Sequence, residues 1–116
     1  MALELHLEEY HEIAVLSLAG AIIASDTEYL QGALDFLLEN GYSRIVIDCK
    51  TLVSINSTGL AALCELVRIL TKDKKESRVV LCNVAPRIQN LLRVSGLDQF
   101  IQTTANRDDA LTSIMH

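Results

Sequence analysis

The chain has 116 residues, half of them hydrophobic, which is the size of one domain with its own core, expected to span 1–116. No apolar run approaches the roughly 18 residues of a membrane span, and the acid-bearing stretch Met1–Glu9 lacks the basic flank of a secretory signal, so a cytoplasmic protein is expected. Ten Lys and Arg against fifteen Asp and Glu leave a net charge of −5, which argues against nucleic-acid binding, and 4% aromatics with no Trp argue against base-stacking platforms.

In chain order, Leu3, Leu5 and Leu7 alternate with Glu4, His6 and Glu8, the pattern of a strand with one wet face. A polar turn at Tyr10-His11-Glu12 leads to a more buried strand over Ile13–Leu18, stopped near Gly20, so the two form a hairpin. Ser25-Asp26-Thr27-Glu28 has the form of a capping box. Behind it Leu30, Ala33, Leu34, Leu37 and Leu38 recur at helical spacing, with Glu28, Gln31, Asp35 and Glu39 opposite, and Asn40-Gly41 is a stop signal.

Ile45-Val46-Ile47 reads as a central strand covered on both faces, followed by a loop through Ser54 and Ile55. A second helix is expected over about 58–71, with Leu60, Leu63, Val67 and Leu70 inward and the mixed charge run Lys72–Glu76 at its solvated end. Val79-Val80-Leu81-Cys82 is another buried strand, and Pro86 suits the first turn of a third helix carrying Ile88, Leu91, Leu92 and Val94, closed by Ser95-Gly96-Leu97. Phe100-Ile101 reads as a short last strand, and Asn106-Arg107-Asp108-Asp109 opens a final helix with Ala110, Leu111 and Ile114. Strands alternating with helices after one hairpin predict an α/β fold with a mixed, mostly parallel sheet and about four flanking helices.

Chemistry-bearing patterns are sparse. Cys49, Cys64 and Cys82 form no CxxC pair and sit among apolar residues, so they read as reduced, buried thiols. His6, His11 and His116 have no partner at helical spacing and read as surface residues, and no metal or other cofactor is expected. Five scattered glycines make neither a P-loop nor a GxGxxG loop, no GxSxG elbow occurs, and no enzyme is indicated. The exception is Val53-Ser54-Ile55-Asn56-Ser57-Thr58-Gly59-Leu60, which follows a buried strand and opens a helix. Asn, Ser and Thr are ordinary N-caps there. A hydroxyl at a helix N-terminus is equally a favourable place for a phosphate, because free N–H groups and the helix dipole stabilise the added charge.

At this point the sequence resembles the STAS domains of bacterial anti-sigma factor antagonists, over about Leu3 to Ile114. The resemblance rests on Leu18-Ala19-Gly20, Ile45-Val46-Ile47-Asp48, Val84-Ala85-Pro86, Ser95-Gly96-Leu97 and Ala110-Leu111, and above all on Ser57-Thr58-Gly59-Leu60. It implies a STAS-like fold and a protein-binding switch rather than an enzyme. An anti-sigma factor that is also a serine protein kinase would be captured by the unphosphorylated form, and a phosphatase would reset the system. Ser57 would accept the phosphate, with Thr58 the second choice, and Ile23, Asn56, Ser57, Thr58, Gly59 and Leu60 would form the switch loop and partner-binding face. No direct nucleic-acid or membrane partner is implied, and the oligomeric state is not legible.

Two positions depart from the family pattern: Asn56 stands where an Asp precedes the serine, and Gly20-Ala21-Ile22-Ile23 stands for Gly-x-Leu-Asp. Both changes remove an acid expected beside Ser57. They leave open a constitutive scaffold or interaction module of the same fold, not cycled at Ser57; a nucleotide-binding regulator is a third reading.

Overall fold

The computed structural model describes residues 2–72, 78–99 and 101–115. Five strands form one sheet in the order β1 (Glu4–Tyr10), β2 (Ile13–Ile22), β3 (Arg44–Ile55), β4 (Arg78–Cys82) and β5 (Gln102–Thr104). β1 and β2 are the antiparallel hairpin expected from the alternation, and every later pairing is parallel. The helices α1 (Thr27–Glu39), α2 (Ser57–Lys72), α3 (Pro86–Val94) and α4 (Arg107–Met115) make the connections and the C-terminus. The α/β class and the mixed, mostly parallel sheet are therefore as predicted.

The alternation of side chains along β2 and β3 divides the interior in two. Leu16, Leu18, Ile45 and Ile47 pack with Leu30 and Leu37 of α1, Leu60 and Leu63 of α2, and Ile88 and Leu92 of α3. Ile13, Val15, Val46 and Val80 pack with Ala110 and Ile114 of α4 on the other face. Three helices thus cover one face and a single nine-residue helix part of the other.

Several local expectations change. β2 does not stop near Gly20 but runs to Ile22, taking register shifts between Ser17 and Ala19 and between Gly20 and Ala21. β3 continues with it, so Ser54 and Ile55 are paired strand residues, opposite Ala21 and Ile22, rather than a loop. Each strand is held extended by the other. β1 is wet on both faces, because it is an edge strand: Leu5 is half-buried and Leu7 exposed. The capping box does not form; Asp26 is the N-cap of α1, without a side-chain capping bond, at the end of a 3₁₀ turn over Ala24–Asp26. Leu38 of α1 and Leu91 and Val94 of α3, expected inward, are exposed. The last strand begins at Gln102, after buried Ile101. Phe100, His116, residues 73–77 of the charge run and the side chains of Leu34, Leu70 and Lys72 lie outside the described residues.

Candidate functional site

Because β2 and β3 end side by side at Ile22 and Ile55, the chain enters α2 against the end of β2. Asn56 makes the junction. Its N–H donates to the Ile22 carbonyl (3.4 Å), its Oδ1 accepts the N–H of Gly59 (2.7 Å), and its carbonyl accepts the N–H of Leu60 (2.8 Å). This is the N-cap expected of Asn. Gly59 is required by a close approach: a Cβ there would stand 2.5 Å from the Ile22 oxygen and 2.8 Å from its Cγ2. With Gly59 and Leu60 turned inward, Ser57 and Thr58 are left exposed on the first turn. Neither hydroxyl has a hydrogen-bond partner among the described residues, so nothing positions a base on Ser57 for nucleophilic chemistry.

Ile23 lies across this turn, half exposed. Its N–H donates to Asp26 Oδ2 at 2.8 Å, which holds the β2–α1 loop. α3 supplies the other wall of a shallow cleft of about 410 Å³, lined by Ile23, Ser54, Asn56, Arg87, Asn90 and Leu91 among others. Arg87 Nη2 donates to the Val53 carbonyl at 3.3 Å. The lining holds one guanidinium and no carboxylate. Thus Ile23, Asn56, Ser57, Thr58, Gly59 and Leu60 are together at one end of the sheet. The contribution of α3 was missed in the sequence, since nothing there joins residues more than thirty positions apart; the exposed Arg after the helix-opening Pro86 was the available signal.

A second polar cluster lies on the opposite sheet face. Asp48, 5% exposed, accepts from Asn83 Nδ2 (3.0 Å), the Lys50 N–H (3.0 Å) and Arg107 Nε (2.9 Å). Arg107 also donates to the Ser17 hydroxyl (3.0 Å) and lies 3.5 Å from Glu8. Burial pushes the Asp48 carboxyl up, but these donors more than reverse it and hold it below its ordinary value. Burial first, with Asp48 nearby, pushes the thiols of Cys49 and Cys82 up to about 12, so both stay protonated and inert, as their apolar surroundings suggested. The described residues contain no group of three or more His, Cys, Asp or Glu suited to a metal ion, and no helix is long and apolar enough to cross a membrane.

A small α/β domain with a hairpin edge strand and a capped helix presenting exposed hydroxyls has the build of a regulatory binding module. The chain belongs to the STAS domain family, which it matches over residues 4–110. Among its relatives, the anti-sigma F factor antagonist of Paenibacillus polymyxa is 23% identical over 115 residues, covering 98% of this chain and 97% of that one. The crystal structure of an anti-sigma factor antagonist from Mycobacterium paratuberculosis superposes with a TM-score of 0.87 at 23% identity, over 99% of this chain and 96% of that one. The Bacillus cell fate determinant SpoIIAA in its phosphorylated form superposes with a TM-score of 0.71 at 20% identity, over 96% and 99% of the two chains.

Proposed function

We propose that this chain is a cytoplasmic anti-sigma factor antagonist in a partner-switching pathway. Unmodified, it captures an anti-sigma factor that is also a serine kinase; phosphorylation of Ser57 releases it, and a phosphatase restores it. The observation that carries the reading is the exposed Ser57 hydroxyl on the first turn of α2, without a hydrogen-bond partner among the described residues. A phosphate there would bring roughly −1.5 to −2 charges to a helix N-terminus, where the backbone tolerates them, and in front of any partner docked on that turn. The fold would stay intact while the interface changed sign. Relatives named as anti-sigma factor antagonists, and a solved phosphorylated form of one protein with this fold, support the reading.

The test is binding of the purified chain to a candidate anti-sigma kinase, with intact-mass analysis after incubation with ATP. Wild type is expected to bind and then to gain one phosphate. Ser57→Asp should weaken the complex by about 1–3 kcal/mol, and Ser57→Ala should bind normally but resist release. Equal binding of wild type and Ser57→Asp would defeat the switch.

A second reading is favoured by one feature: Asn56 and Ile23 leave the serine without the acids that the resemblance implies. A constitutive interaction module of the same fold would bind the partner and gain no phosphate in the same experiment.

A further inference from the structure

A second concavity, sharing no lining residue with the cleft beside Ser57, lies between edge strand β1 and helix α1. It is open, about 470 Å³, with Leu5, Leu16 and Leu37 in its lining. Leu7, Tyr29 and Phe36 stand in it 36%, 48% and 48% exposed. Tyr29 and Phe36 are two of five aromatic residues in the chain. Exposed aromatic side chains beside an apolar floor are the anchors that protein interfaces favour.

Gly32 is the second observation. It lies inside α1, one turn from both aromatics, and lines the groove. Glycine within a helix costs about 1 kcal/mol relative to alanine, yet a Cβ at Gly32 would meet nothing within 4 Å. Packing inside the chain therefore gives no reason for a glycine there. What its missing side chain does is keep the groove open between Tyr29 and Phe36.

Charge identifies the occupant. β1 and α1 carry Glu4, Glu8, Glu9, Glu28, Asp35 and Glu39, and none of the ten Lys and Arg. Glu8 is engaged by His6 and Arg107, and Glu9 accepts the Tyr42 hydroxyl. Glu28 lines the groove, with Asp35 and Glu39 further along α1. Two copies meeting through this groove would oppose like charges, and an anionic membrane would be repelled. A cationic protein surface is complementary. Strand addition is disfavoured, because the Tyr29 hydroxyl already accepts the Leu5 N–H on β1 at 3.4 Å. A helix laid across Gly32 needs no such rupture. We infer that the β1–α1 groove docks a basic amphipathic helix of a partner protein, its apolar stripe on Leu7, Tyr29 and Phe36 and its Lys or Arg against the acids of α1.

A labelled peptide of about 18 residues, long enough to hold a helix, with Leu at helical spacing and Lys elsewhere, is the probe. It should bind wild type in a salt-sensitive manner and fail to bind when Lys is replaced by Glu. Gly32→Leu, which fills the groove, and Phe36→Ser, at a half-exposed position, should each weaken binding at least about tenfold with circular dichroism unchanged. Leu91→Ser, beside the Ser57 cleft, should leave it unaltered. Binding that survives both groove variants, or equal binding of the Glu peptide, overturns the proposal. So does salt-sensitive self-association of the protein alone that Gly32→Leu abolishes, which would make the occupant a second copy, or groove-dependent binding to anionic vesicles.

Discussion

Two polar stations, one within strand β3 and one just past its end at the head of α2, are treated by the fold in opposite ways. At Asp48 the carboxylate is buried and surrounded by donors from three elements of the chain: the strand itself, the residue after β4, and α4. Just past the strand's far end, Ser57 stands in water with its hydroxyl unclaimed among the described residues. Only one of these arrangements leaves room for regulation. A fully satisfied buried group resists change, because any alteration strands a partner. An exposed hydroxyl on a rigidly capped turn can change its charge without disturbing what lies beneath.

The largest effect should come from breaking the satisfied station. Asp48→Ala removes the acceptor shared by Asn83, Lys50 and Arg107 and should cost about 3 kcal/mol in urea unfolding, the scale of three lost hydrogen bonds at about 1 kcal/mol each. The pH dependence follows from the lowered carboxyl. Since Asp48 is more acidic folded than unfolded, its contribution is complete above the ordinary carboxylate value of about 4 and is lost as pH falls through the lower folded value. Asp48→Asn should therefore flatten the acid limb of the stability curve while leaving its slope near neutrality unchanged. An acid limb identical to wild type would show that Asp48 is not held low.

The same contrast separates what the sequence disclosed from what it concealed. The hairpin, the amphipathic α1, Pro86 at the head of α3 and the small residues at the head of α2 are local patterns, each legible in a window of a few residues. The full length of β3 was not, because Thr51 to Ile55 are held extended only by pairing with β2. The Asp48 station was hidden for a similar reason: its partner Arg107 lies 59 residues further along the chain. At the candidate site the loop residues were legible, whereas α3 as its second wall is a consequence of tertiary packing. The aromatic stripe of α1 was obscured as well, since Tyr29 and Phe36 flank the core-facing leucines and share their helical spacing.

Gly59→Ala should have the next largest effect, because it presses on the junction rather than on the switch. A methyl 2.5 Å from the Ile22 carbonyl requires the first turn of α2 to withdraw from β2, at a cost of about 2 kcal/mol, typical of overpacking. Thermal unfolding would measure the loss. An unchanged midpoint would mean that the turn is pliant, and that its stiffness does not present the serine.

The finest division lies between adjacent residues. Asn56→Ala removes the side-chain acceptor of the Gly59 N–H at 2.7 Å and should cost about 1 kcal/mol, the worth of an N-cap. Ser57→Ala, one position on, removes a hydroxyl without a partner among the described residues and should change stability by less than about 0.5 kcal/mol. If the Ser57 variant were the more damaging of the two, its hydroxyl would have a structural task and would be poorly suited to carry a reversible charge. If Asn56 alone matters, the first turn of α2 divides its labour between a capping side chain that holds the helix and a neighbouring hydroxyl left free for a partner to read.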